Sequence, residues 1–134
     1  MNKKVGLWLD QNKAVIVSIT DSGEERKRIL SDMEHYVHFS SNGPGDGSAK
    51  DARDPRFLNH LSEYYDKVVA TIGDAKSIQI FGPGEAKYEL KRRLESEGMF
   101  DNIVSVDDAG SLSDRQVAKR VRERFPARSL FDIF

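Results

Sequence analysis

The sequence predicts an α/β domain in which an antiparallel meander of strands leads into alternating helices and strands. Two observations carry this. Three strand-like runs open the chain with only short turns between them. From residue 55 onward, segments with apolar residues at three- and four-residue spacing alternate with short β-rich runs. The expected element order is βββαβαβα.

Residues 4 to 10 (Lys-Val-Gly-Leu-Trp-Leu-Asp) are apolar with β-branched and aromatic members, and Asp10-Gln11-Asn12-Lys13 supplies turn chemistry. Residues 14 to 20 (Ala-Val-Ile-Val-Ser-Ile-Thr) complete a hairpin, and Asp21-Ser22-Gly23 turns the chain again. Residues 24 to 37 read as a third, more polar strand. Arg26, Arg28 and Leu30 alternate there with Lys27, Ile29 and Ser31, the composition of a sheet edge.

Residues 40 to 53 form a polar run in which Gly43, Gly45 and Gly47 flank Pro44 and Asp46, and Lys50 and Arg53 follow. Regular structure is not expected there, and a loop of this length is either functional or disordered. Asp54 and Pro55 then form a helix start, a carboxylate N-cap before a first-turn proline. Phe57, Leu58, Leu61, Tyr65, Val68, Val69 and Ile72 mark its apolar stripe, which Gly73 ends.

Ser77 to Phe81 is a β-rich run that stops at Gly82-Pro83-Gly84. A second helix from Glu85 to about Gly98 carries Ala86, Leu90 and Leu94 on one stripe. Ile103 to Val106 is the fifth strand. Ser113 and Gln116 match a capping box, after which Val117, Val121 and Phe125 mark a third helix ending before Pro126. The tail from Ser129 to Phe134 is apolar, which suits docking on the core or a dimer contact.

Helices separate the later strands, so these are expected to be parallel through right-handed crossovers. A meander followed by two such crossovers is the element order of the ribonuclease H-like group, with sheet order 3-2-1-4-5. At 134 residues the chain is expected to form one domain spanning 1–134.

Composition excludes several function classes. The absence of cysteine removes disulfides, thiolate metal sites and cysteine nucleophiles together. A formal net charge of −1 argues against a globally basic polyanion binder but leaves room for a local patch. No apolar stretch approaches the roughly 18 residues of a membrane-spanning helix, so no membrane is expected as partner and the expected location is cytoplasmic.

No catalytic set is legible, and no cofactor or metal is expected. Two-metal nuclease chemistry needs carboxylates converging at strand ends. Asp10 is placed for one, but the fourth strand ends in Phe81-Gly82-Pro83 without a carboxylate, and Asp10 reads better as a turn residue. His35, His38 and His60 do not converge by spacing, and no Gly-x-Ser-x-Gly elbow is present.

Two features remain for binding. Gly82-Pro83-Gly84-Glu85-Ala86-Lys87 sits where a strand becomes a helix. It suits a tight structural turn, or a phosphate at the helix N-terminus beside Lys87, although Glu85 opposes an anion and the Walker A spacing is absent. Between Ser113 and Arg128, Arg115, Lys119, Arg120, Arg122, Arg124 and Arg128 meet only Asp114 and Glu123, a local charge of +4. Lys87, Lys91, Arg92 and Arg93 of the second helix are largely balanced by glutamates. Such cations serve either as an ordinary solvated face or as a patch for RNA phosphates.

The Phe81-Gly82-Pro83-Gly84-Glu85-Ala86-Lys87 segment, in this element order, resembles the middle domain of eukaryotic and archaeal peptide-chain release factors and of Pelota. Their fourth strand runs into a Gly-Pro-Gly-x-x-Lys turn. The likeness extends to small stand-alone bacterial relatives of that domain, which the segments Val5 to Asp10 and Gln116 to Val121 also fit. The resemblance implies a ribonuclease H-like fold and a translation-associated role. In release factors the loop after the third strand carries a Gly-Gly-Gln tripeptide that promotes hydrolysis of peptidyl-tRNA. The Asn42 to Arg53 loop has no glutamine, so that hydrolysis is not expected. Pelota also lacks the tripeptide and acts on stalled ribosomes.

The expected function is therefore non-enzymatic binding of ribosome or tRNA. The candidate contacts are Lys87, Lys91, Arg92, Arg115, Lys119, Arg120, Arg122 and Arg124, and the loop residues Gly43, Gly45, Gly47, Lys50 and Arg53. The alternative is a protein-interaction module, docking a partner protein or forming a homodimer, without RNA binding.

Overall fold

The computed structural model describes residues 3–31 and 55–126, with the side chains of residues 55–58 and His60 excepted. The glycine-containing loop at 40–53, the end of the long third strand, Arg128 and the apolar tail all lie outside the described residues. Strands β1 (Lys4–Leu9), β2 (Lys13–Thr20) and β3 (Gly23–Leu30) form the meander. Helix α1 (Pro55–Ile72), β4 (Ser77–Gly82), α2 (Ala86–Ser96), a 3-10 turn (Phe100–Asn102), β5 (Ile103–Asp108) and α3 (Asp114–Arg124) follow.

The sheet has the order β3-β2-β1-β4-β5. β1 pairs antiparallel with β2 and β2 with β3, while β1–β4 and β4–β5 are parallel. This is the mixed ribonuclease H-like sheet expected from the element order. The third strand is described as far as Leu30, and residues 32–37 of the expected strand lie outside the described residues. Its last ladder pair is Lys13–Leu30, and the Ser31 N–H still donates to the Asn12 carbonyl at 2.9 Å.

Helices cover both faces, so the central strands are apolar without alternation; Ala14 through Val17 are all buried. On one face, Val5, Leu7, Leu9, Ala14, Ile16, Ile78 and Ile80 pack against Tyr64, Tyr65, Val68 and Ile72 of α1 and Leu90 and Leu94 of α2. On the other, Trp8, Val15, Val17 and Phe81 pack against Val117, Ala118, Val121 and Phe125 around α3. Each side thus buries several large side chains, worth about 1.5–3 kcal/mol apiece.

α3 lies unusually close to β1. A Cβ on Gly6 would stand 2.3 Å from Val121 Cγ2 and 2.9 Å from Gln79 Oε1, so only glycine admits the helix at this distance. The Trp8 indole Nε1 donates to the Gly110 carbonyl at 2.8 Å, which fixes the loop that delivers α3 to its face.

Candidate nucleic-acid interface

The Gly-Pro-Gly-x-x-Lys turn is a structural knuckle. Gly82, at φ +154°, brings the end of β4 so close to β1 that a Cβ would lie 2.1 Å from the Leu9 carbonyl oxygen. Gly84, at φ +64°, turns the chain into α2. Pro83 between them is exposed. Lys87, one helical turn on, donates from Nζ to the Gly84 carbonyl at 2.5 Å and lies 2.7 Å from Asp108 Oδ1 at the end of β5. Its side chain is 1% exposed. Lys87 therefore closes the knuckle from inside, and its ammonium is already engaged. This placement removes it from the solvent-facing cations with which the sequence grouped it.

Asp10 is likewise committed to local structure. Its Oδ1 accepts from the backbone N–H of Asn12 at 2.7 Å and of Lys13 at 2.9 Å, an Asx-type closure of the hairpin. Its carbonyl accepts from the Tyr64 hydroxyl at 2.8 Å. Among the described residues, no group of three or more histidine, aspartate or glutamate side chains is placed to hold a metal ion.

The basic residues divide between the two sides of the sheet. On α2, Lys91 pairs with Glu95 at 3.4 Å, Arg92 with Glu89, and Arg93 with Asp66 at 2.9 Å. That layer neutralises itself. α3 lies on the opposite face, so Lys91 and Arg92 do not join its cations in one surface.

α3 begins with the expected capping box. The Gln116 N–H donates to Ser113 Oγ at 3.1 Å, and the Ser113 N–H donates to Gln116 Oε1 at 2.7 Å. Burying Val117, Ala118, Val121 and Phe125 leaves Arg115, Lys119 and Arg122 along one flank, at four- and three-residue spacing. Arg120 and Arg124 occupy the other flank. Arg120 stacks its guanidinium on the Phe81 ring, 4.7 Å from the centroid. Arg122 Nη1 reaches Glu24 Oε1 at 2.8 Å. Arg115, Lys119 and Arg124 are exposed and have no ion-pair partner among the described residues.

The β3 strand brings further cations that its sequence position does not advertise. Arg28 Nη2 meets Asp114 Oδ2 at 2.7 Å, and Arg26 Nε meets Glu24 Oε2 at 2.9 Å. The guanidiniums of Arg122 and then Arg26 hold the Glu24 carboxyl below the usual carboxylate range.

No protein-family model matches the chain, and no curated protein matches it by sequence. By structure it is similar to the Pelota protein of Thermoplasma acidophilum, with a TM-score of 0.57 and 18% identity over 87% of this chain and 31% of that one. Pelota of Archaeoglobus fulgidus gives 0.56 and 19% over 92% and 31%. The archaeal translation termination factor aRF1 gives 0.54 and 16% over 90% and 33%. The chain spans about a third of the length of these proteins. At such identity the likeness is one of fold, and it is the fold implied by the Gly-Pro-Gly-x-x-Lys resemblance.

Proposed function

We propose that this chain is a translation-associated protein that binds the phosphate backbone of ribosomal RNA or tRNA through α3, without hydrolytic chemistry of its own. The observation that carries the proposal is the exposed set Arg115, Lys119 and Arg124 on one helix, none of them in an ion pair among the described residues. Among the described residues, carboxylates neutralise the cations of α2 but leave these three to solvent, which is what a polyanion contact requires. The fold shared with Pelota and with a translation termination factor supplies the setting.

Binding to purified ribosomes and to tRNA tests this. The expected result is an affinity that falls steeply with salt, and that falls by about tenfold or more at low salt in the Arg115→Glu/Lys119→Glu variant. Salt-independent binding, or none, would overturn the proposal.

A further inference from the structure

β3 lies at the sheet edge beside α3, and its register decides which side chains share the helix's face. Arg26 pairs with Val17 and Arg28 with Val15. Val15 and Val17 both pack under α3, so Arg26 and Arg28 stand on that same face. The ion pairs Arg122–Glu24 and Arg28–Asp114 span the gap between the two elements. Two rows of cations result, Arg115, Lys119 and Arg122 along the helix and Arg26 and Arg28 along the strand.

The carboxylates in this surface orient the guanidiniums without saturating them. The side chains of Arg26, Arg28 and Arg122 remain 48%, 52% and 46% exposed. A guanidinium has five N–H donors and a carboxylate takes at most two, so each arginine keeps donors for a second anion. Glu24 and Asp114 thus fix the positions of charges that still outnumber them.

Among the described residues this face offers no exposed ring on which a single-stranded base could stack. Trp8, Phe81 and Phe125, its aromatic members among the described residues, are 3%, 0% and 7% exposed, so none offers a ring for a base to stack on. Among the described residues the exposed aromatics, Tyr88 and Phe100, belong to α2 and to the 3-10 turn packed beside it. Cations fixed in two rows, with only buried rings between them among the described residues, suit a ligand whose phosphates are themselves held in a regular array.

We infer that β3 and α3 form one composite surface for the phosphate backbone of double-helical RNA, with Arg26 and Arg28 binding phosphates. This rests on the proposed function and adds the ligand class and a second element. The test is fluorescence anisotropy with a hairpin RNA and an oligouridine of equal length, titrated with salt. The hairpin is expected to bind more tightly. Arg26→Ala/Arg28→Ala is expected to weaken hairpin binding at low salt and to reduce the salt slope by about one for each phosphate no longer neutralised, with an unchanged thermal midpoint. Arg26→Lys/Arg28→Lys is expected to restore most of the slope. If the alanine variant binds like wild type while Arg115→Glu/Lys119→Glu does not, the role of β3 is overturned and the α3 reading stands. If neither variant changes binding, both fail. Tighter binding of oligouridine would overturn the ligand class.

Discussion

The Lys87 ammonium lies 2.7 Å from the Asp108 carboxylate and 2.5 Å from the Gly84 carbonyl, so one buried lysine ties the start of α2 to the end of β5. The two partners are unequally placed. Lys87 is 1% exposed and Asp108 is 85% exposed. Removing the lysine strips the Gly84 carbonyl of its donor and leaves a void where the stem was packed. Lys87→Ala is expected to cost about 2–4 kcal/mol in urea unfolding. Asp108→Ala, which leaves the Gly84 bond intact, is expected to cost below about 1 kcal/mol. Equal losses in the two variants would contradict this account of the knuckle.

The approach of α3 to β1 makes a second prediction. A methyl at Gly6 has to displace Val121, which belongs to the packed layer under α3. Gly6→Ala is expected to cost about 1–3 kcal/mol through overpacking. In a Val121→Ala background the same substitution is expected to cost less, a coupling that a double-mutant cycle measures directly. Additive losses would mean that the helix shifts freely.

A third prediction concerns alkaline pH. Burial, followed by the Glu89 charge, pushes the Tyr65 phenol up to about 12, with Arg93 and Arg92 opposing. Burial and then Asp10 raise Tyr64 as well. A raised folded-state value means that the contribution is complete below the unfolded tyrosine value of about 10 and is lost as pH climbs through about 12. Urea unfolding at about pH 11 is expected to show a loss of about 1 kcal/mol for Tyr65 relative to neutral pH. Tyr65→Phe is expected to lose correspondingly less. An identical pH dependence in the two proteins would contradict the assignment.

The strand and helix order was legible because its signals are local. Asp10 closes its own turn, Ser113 caps its own helix, and α1 shows its buried face through Tyr65, Val68 and Ile72. The five cations of α3 were legible for the same reason. The division of basic residues between faces was not. Both crossovers move in one direction across the sheet, which puts α1 and α2 together, but among the described residues no strand follows α3 to fix its side. It covers the face that Trp8, Val15, Val17 and Phe81 would otherwise expose. Arg28 and Arg26 escaped notice because they join α3 only through the β2–β3 register; Arg28 and Asp114 are 86 residues apart. Lys87, singled out in the sequence as the lysine of the turn and as a phosphate contact, is instead buried against Asp108, a partner that the end of β5 supplies 21 residues later.

The central claim is that the α3 face binds translational RNA by its charge, and sedimentation of a cell lysate through a gradient tests it most directly. The account predicts that the protein travels with ribosomal particles at low salt, leaves them at high salt, and stays behind at low salt when Arg115 and Lys119 are reversed to glutamate. A wild-type protein that remains at the top of the low-salt gradient, or one that stays on the particles regardless of salt, would contradict it.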